Sequence, residues 1–292
     1  MKRLVAAAVV MAASVGPAAA WGFVAHRIIA ENAAAAAPPG MSIFYKAATE
    51  RVSAASIEPD SVLKDRDQER EKRRHYIDLD ELSRPPFPDL PFDEEKARAL
   101  YGDERVDGAG TLPWRIMTML GQLREAFEKK DWEKVVVRSG WLSHYVADAY
   151  QPLHTTKNFD GQESCNAGVH AAFETDMIDI GKTRYRASTA LSGSFAPEVI
   201  REPRRFIFIE IIASYDLVDD VLKADTAALA AVKKQRRDYY EELEQRLGVI
   251  ARQQMSRATA TTLNLWYTAW FEAGRPQLPA TVPPPAVRAD RP

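Results

Sequence analysis

The chain of 292 residues has one cysteine, Cys165, so no intramolecular disulfide can staple its loops. It has little net charge either, −2 at pH 7 from 39 basic and 41 acidic residues. Without a basic excess it carries no electrostatic footprint for tight duplex binding, which argues against a dedicated DNA-binding module and leaves enzymes acting on single strands open. Long apolar runs are also scarce. The longest candidate, Leu4 to Val15, is too short to cross a bilayer. No segment of useful length alternates apolar and polar residues, which argues against a sheet, and no segment repeats another.

What is present is a core. Hydrophobic residues make up 46% of the chain and charged residues 27%, enough to bury a sizeable interior in a soluble globular protein. The basic start Met1-Lys2-Arg3, the apolar run and the small residues of Gly16-Pro17-Ala18-Ala19-Ala20 read as a secretory signal peptide over 1–20. That reading makes Trp21 the first residue of a secreted or periplasmic chain. The remainder reads as helix almost throughout. An Ala-rich helix from Ala25 to Ala36 stops before Pro38-Pro39-Gly40, and Ser42 is a candidate N-cap for a second helix to Ala55. Pro113 fits a first helical position, Asp131 caps a helix to about Tyr150, and another helix spans about 168–180. Amphipathic segments follow at 197–224, 226–248 and 250–273. The expected architecture is a single all-α, multi-helix domain over 21–275, with a Pro-rich tail over 276–292 expected to be disordered.

The five histidines carry the functional signal. His144 and Asp148 lie four apart on a helical segment, which places both side chains on one face. His170 and Glu174 repeat that spacing. His154 follows Gln151-Pro152-Leu153, where proline limits the helix, and Asp60 stands fifteen residues before His75. A single such pair on a helix is more often a surface ion pair. In this chain every histidine has a carboxylate or terminal amine in a coherent set, and imidazole nitrogen with carboxylate oxygen suits a borderline-soft dication. A chain beginning at Trp21 would add its free α-amino group, which gives up a proton near neutral pH and sits five residues before His26. Cys165, among these residues, reads equally as a semi-buried small residue or as a ligand.

In order and spacing these residues resemble the zinc-dependent single-strand nucleases of fungi and plants and the bacterial zinc-dependent phospholipases C. The resemblance spans Trp21 to Glu174: an N-terminal Trp with a nearby His26, then Asp60 and His75, then His144-x-x-x-Asp148-x-x-x-Pro152-x-His154, then His170-x-x-x-Glu174. It implies an all-helical fold and three zinc ions. Asp60, His75, His144 and Asp148 would hold one. The amine and carbonyl of Trp21, with His26 and the other oxygen of Asp148, would hold a second, so that Asp148 bridges the pair. His154, His170 and Glu174 would hold the third. Asp60 and Asp148 would be the catalytic carboxylates, and the reaction would be hydrolysis of a phosphodiester.

The two branches of the family differ in substrate. The short interval from Trp21 to His26 and the segment His75-Tyr76-Ile77-Asp78 resemble the nucleases, in which an aromatic ring stacks on a base and an Asp bonds its edge. The closing Glu174 and the short stretch from His154 to His170 resemble the phospholipases. Leu63 stands where the nucleases carry an Arg, with Lys64 the nearest basic substitute, and Asn158 falls between ligands at the expected cleft. Single-stranded nucleic acid is therefore the expected substrate, with Tyr76, Asp78, Lys64 and Asn158 as contacts, and phospholipid the alternative. A non-catalytic zinc-binding envelope protein is the third reading, which a carboxylate bridge and a processed terminal amine disfavour. No membrane span and no protein partner are expected.

Overall fold

The computed structural model describes residues 21–235 and 238–282. The expected leader over 1–20 lies outside the described residues, as do residues 283–292 of the expected tail. Among the described residues all regular structure is helical, with no strand, and no helix is long and apolar enough to cross a membrane. Seven helices of at least 13 residues form the frame: α1 (Phe23–Ala35), α2 (Ser42–Ala55), α3 (Leu112–Glu128), α4 (Trp132–Ala149), α5 (Pro203–Tyr215), α6 (Val218–Gln235) and α7 (Tyr239–Glu272).

Local chemistry sets most of their limits. Asp131 caps α4 by accepting a hydrogen bond from the Lys134 amide at 3.2 Å. Pro113 sits in the first turn of α3, where its missing N–H costs nothing. Several boundaries differ from the sequence reading: the expected segment 197–224 is divided at 216–217 between α5 and α6, and α6 runs through the expected break at 225. Ser42 is the first residue of α2 and makes no capping bond, the cap position being Met41. The expected interruption near Gly248 is absent: α7 runs unbroken for 34 residues. A mid-helix glycine costs about 1 kcal/mol, and burial of Leu247, Ala251 and Met255 on either side offsets it.

α1 packs on α2, α2 on α4 and α4 on α3, while α7 crosses α1, α3, α4 and α6. Trp266 of α7 is fully buried, stacks on Tyr45 of α2 at 4.6 Å and donates to the Ser139 carbonyl of α4 at 3.1 Å. Trp266 is thus a core residue that ties α7 to α2 and α4. Residues 276–282 are not regular, yet the Trp270 indole donates to the Pro276 carbonyl at 3.0 Å, and Leu278 and Val282 pack partly buried against the core.

One close approach positions the site. A Cβ on Gly140 of α4 would lie 2.5 Å from Ala55 Cβ and 2.7 Å from the Val52 carbonyl of α2. That approach lets His144, one turn later, reach the Ser56 carbonyl at the end of α2 at 2.7 Å. Gly140→Ala is expected to destabilise the fold by about 1–3 kcal/mol through overpacking, despite alanine's better helix propensity. Denaturant unfolding reads this out, and an unchanged midpoint would count against the packing argument.

Candidate metal centre

The site residues come from six segments. His26 lies on α1, and His144 and Asp148 on α4. Asp60 belongs to a π-helical turn at Pro59–Leu63, and Glu174 to another at Ala172–Asp176. Such turns insert an extra residue per turn and re-aim side chains, and they recur at functional sites. His75 follows the short helix Gln68–Lys72, whose cap is Asp67. His154 sits in a 3₁₀ turn, Pro152–Thr155, capped by the Gln151 side chain. His170 opens the helical stretch that runs into the second π turn, after Gly168 takes φ +95°.

The structure brings all five histidines and all three carboxylates into three convergent groups: Asp60 with His75 and His144; His26 with His144 and Asp148; and His154 with His170 and Glu174. Each group could hold a metal ion. All are buried: His26 is 1% exposed, His144 and Asp148 0%, Glu174 1%, and the Asp60 side chain 1%. Burying this many ionisable groups is costly unless something pairs them.

The hydrogen bonds suit a cation as that partner. The Nδ1 atoms of His144, His154 and His170 meet the carbonyls of Ser56, His75 and Phe159 at 2.7, 2.8 and 3.0 Å, which requires a proton on each Nδ1. In its neutral form each ring then presents a bare Nε2 lone pair inward; for His170 burial opposes the charged form, but the Glu174 carboxylate beside it raises the ring above the usual imidazole range. His154 Nε2 and His170 Nε2 face each other at 3.2 Å, with Glu174 Oε2 at 3.4 and 3.0 Å. With both rings neutral, three acceptors at these separations repel one another, and a metal ion, or a proton on His170, relieves that repulsion. Ligands of a tetrahedral zinc stand roughly 3.3–3.4 Å apart, given bonds of about 2.0–2.1 Å, so the spacing fits. Further buried atoms have no hydrogen-bond partner: both ring nitrogens of His26, Asp60 Oδ2, Asp148 Oδ1 and His75 Nε2. In a protein interior such orphans call for an explanation, and a bound ion is one.

Asp148 stands between two groups. Its Oδ2 lies 3.1 Å from His75 Nδ1 and 3.4 Å from His144 Nε2, while its Oδ1 lies 3.5 Å from His26 Nε2. One carboxylate thus addresses two positions. Burial first, and the Asp60 charge second, push Asp148 well above the usual carboxylate range in the protein alone, an effect that a nearby dication reverses. Burial also holds His26, His75 and His144 well below the usual imidazole range, which keeps them neutral and ligand-competent. In the third group burial opposes the Glu174 carboxylate, but the adjacent His170 and His154 hold it at about 2.

Trp21 is fully buried, tilted against Phe173 at 5.6 Å. The Gly22 amide donates to the Glu174 carbonyl at 3.3 Å, and a Cβ at Gly22 would meet Thr175 Oγ1 at 2.9 Å. The segment entering α1 is therefore seated directly on the turn that carries Glu174.

The expected substrate contacts fare differently. Tyr76 is half-buried, its hydroxyl donating to the Gly108 carbonyl at 3.3 Å, with Gly110 pressed so close that a Cβ would come within 2.2 Å of the Tyr76 carbonyl. Asp78 is half-buried, and burial, then Asp80 and Glu81, push its carboxyl up to about 8. Lys64 does not project freely: its ammonium pairs with Asp60 one turn earlier. Asn158 is occupied by its own loop, donating to Ser164 Oγ at 3.1 Å and accepting from the Glu163 amide at 2.8 Å. Cys165 is exposed rather than semi-buried and belongs to none of the groups.

Several supporting residues escaped the sequence reading. Gln151 donates to Glu174 Oε2 at 2.8 Å. Asp80 accepts from Thr156 Oγ1 at 2.7 Å and the Lys157 amide at 3.0 Å, anchoring the chain after His154. Glu71 is buried beside His75. Gln151 precedes the noted Pro152, and Glu71 stands four residues before His75, so both spacings were visible in the sequence.

No family model matches the chain. A curated relative, a probable serine protease of Bradyrhizobium tropiciagri, is 30% identical over 115 residues, a match covering 30% of this chain and 15% of the relative. The chain thus spans a small part of that protein's length.

Proposed function

We propose that this chain is an exported, zinc-dependent phosphoric ester hydrolase acting on phosphodiesters, first of all in single-stranded nucleic acids and nucleotides. The observation that carries the reading is Asp148, buried with each oxygen turned to a different histidine group. Two metals sharing a carboxylate form the arrangement that clamps both the attacking and the leaving oxygens of a phosphoryl transfer. Sets of imidazole and carboxylate suit zinc along with other first-row dications, and the family resemblance selects zinc among them.

Asp60, His75, His144 and Asp148 Oδ2 would hold one zinc. His26, Asp148 Oδ1 and the Trp21 amine and carbonyl would hold a second, and His154, His170 and Glu174 the third. When bound, zinc supplies Lewis acidity toward a phosphoryl oxygen and a water that ionises near neutral pH. The protein's own part is orientation. Backbone carbonyls lock three imidazoles in the ligating tautomer, and Gln151 steadies Glu174. Tyr76, next to His75 in sequence, would supply the stacking ring, and Asp78, its carboxyl pushed up to about 8 by burial and by Asp80 and Glu81, would bond the base edge.

One observation favours phospholipid as a second reading. Phe159 is 42% exposed with its ring edge-on to His170 at 5.9 Å, which sets apolar surface beside the third group. Parallel assays of the purified protein on single-stranded DNA, RNA and phosphatidylcholine separate the two. Fastest turnover on single strands supports the nuclease, faster turnover of phosphatidylcholine transfers the proposal to the lipid, and a zinc-loaded protein inert on all three sinks both.

The terminal amine gives a separate prediction. A chain beginning at Trp21 should lose at least about tenfold in activity, the scale of disturbing one metal contact, when a single residue is added ahead of it. An amide nitrogen is a poor ligand because its lone pair is tied up in resonance. Circular dichroism should stay unchanged, and full activity in the extended chain would remove the amine from the ligand set.

A further inference from the structure

We propose that Glu71 is a positioning residue for the metal centre, holding the His75 ring with its proton on Nε2 so that Nδ1 is bare toward Asp60, Asp148 and His144. The inference rests on the reading of the cluster as a zinc site.

His75 needs such a device more than its neighbours. Backbone carbonyls fix the proton of His144, His154 and His170 on the outward nitrogen. His75 has no such carbonyl: its Nε2 is buried without a hydrogen-bond partner. Two carboxylates crowd the other side of the ring, Asp148 Oδ2 at 3.1 Å and Asp60 Oδ1 at 3.5 Å from Nδ1. A neutral imidazole has one ring proton, and those two anions draw it to Nδ1, where it would block ligation. The opposing anion is Glu71, whose Oε1 lies 3.7 Å from Nε2. The gap is too long for a hydrogen bond but short enough for a charge in a buried setting to bias where the proton sits.

Glu71 is built into place rather than left on the surface. It is 2% exposed. Arg74 Nη1 donates to its Oε2 at 2.6 Å, the Tyr145 hydroxyl donates to its Oε1, and Arg115 Nη2 lies 4.0 Å from Oε1 while donating to the Tyr145 oxygen at 3.1 Å. Tyr145 in turn follows His144 on α4, so the same helix carries one ligand and the anchor for the group that orients another. A carboxylate behind a ligating histidine raises its basicity and fixes its ring, and losing one commonly costs 10–100-fold in metal affinity.

The test measures zinc binding by competition with a calibrated chelator, together with the visible spectrum of the cobalt-substituted protein, in wild type, E71Q and Y145F. In E71Q one zinc is expected to bind about 10–100-fold more weakly. The cobalt band from the group containing His75 should shift, and binding at the group of His154, His170 and Glu174 should stay at the wild-type value. A structural role alone would lower the melting temperature and leave affinity and spectrum unchanged, and that result overturns the proposal. Should E71Q fail to fold, Y145F decides: it keeps the charge but removes an anchor, so weaker binding at the same position supports the proposal and wild-type affinity overturns it. A wild-type protein that takes up no zinc removes the underlying reading and this inference with it, and is distinguished by appearing without any substitution.

Discussion

Asp148→Asn is expected to strip two metal ions from each chain and to cut phosphodiester turnover by about 10³-fold or more, whereas Glu174→Gln should cost one. The difference follows from geometry. Asp148 turns Oδ2 to His75 and His144 and Oδ1 to His26, so its charge serves two positions at once. Asparagine keeps the size but has one oxygen, no charge and an NH₂ group that points donor hydrogens at one of the two positions. Among the histidines Glu174 faces His154 and His170, which belong to one group. Losing preorganised electrostatic stabilisation of a phosphoryl transition state costs on the order of 10²–10³ for a single contact, and a bridge forfeits more than one. Elemental analysis of both variants reads the result directly. Equal metal losses would show that Asp148 is not shared.

Exhaustive chelation should abolish activity and lower the melting temperature by on the order of 10 °C or more. The chain's lone cysteine allows no intramolecular disulfide. Residues 21–26, 59–63, 75, 144–148, 154 and 170–174 come from separate segments spread over residues 21–174, and bound metal ions would tie them together. A ligand present at about 1,000 times its Kd stabilises by about 4 kcal/mol per site, and each kcal/mol moves the midpoint of a domain this size by about 2–4 °C. Thermal unfolding with and without chelator, followed by re-addition of zinc, measures the shift and its reversal. A midpoint that chelation leaves in place would mean that the histidine groups hold nothing the fold depends on.

The histidine groups were legible because their spacing is local chemistry. His144 with Asp148, and His170 with Glu174, each lie one turn apart, and the structure keeps both pairs on one face, at 3.4 and 3.0 Å. The helical character was equally plain, since alanine-rich and amphipathic runs with Asp131 and Pro113 at their starts leave little choice. Other features were hidden for physical reasons. A π turn has no 3.6-residue periodicity to betray it, so the turns that carry Asp60 and Glu174 could not be read as such. The unbroken α7 was missed because Gly248 signals a break locally, while the burial of Leu247 and Ala251 that overrides it is tertiary. The substrate contacts were the weakest inference. Lys64 faces Asp60 and Asn158 faces its own loop, because short polar side chains and flexible amines take the nearest partner the fold offers. Glu71 had a visible spacing from His75, but nothing in the sequence tells an orienting carboxylate from a solvated one, and its burial decides the matter.

The most direct test of the central claim is the metal content of the purified protein beginning at Trp21, measured by elemental mass spectrometry after removal of loosely held ions. The account predicts three zinc ions per chain. Less than one metal ion per chain, or stoichiometric binding of a metal other than zinc, would contradict it.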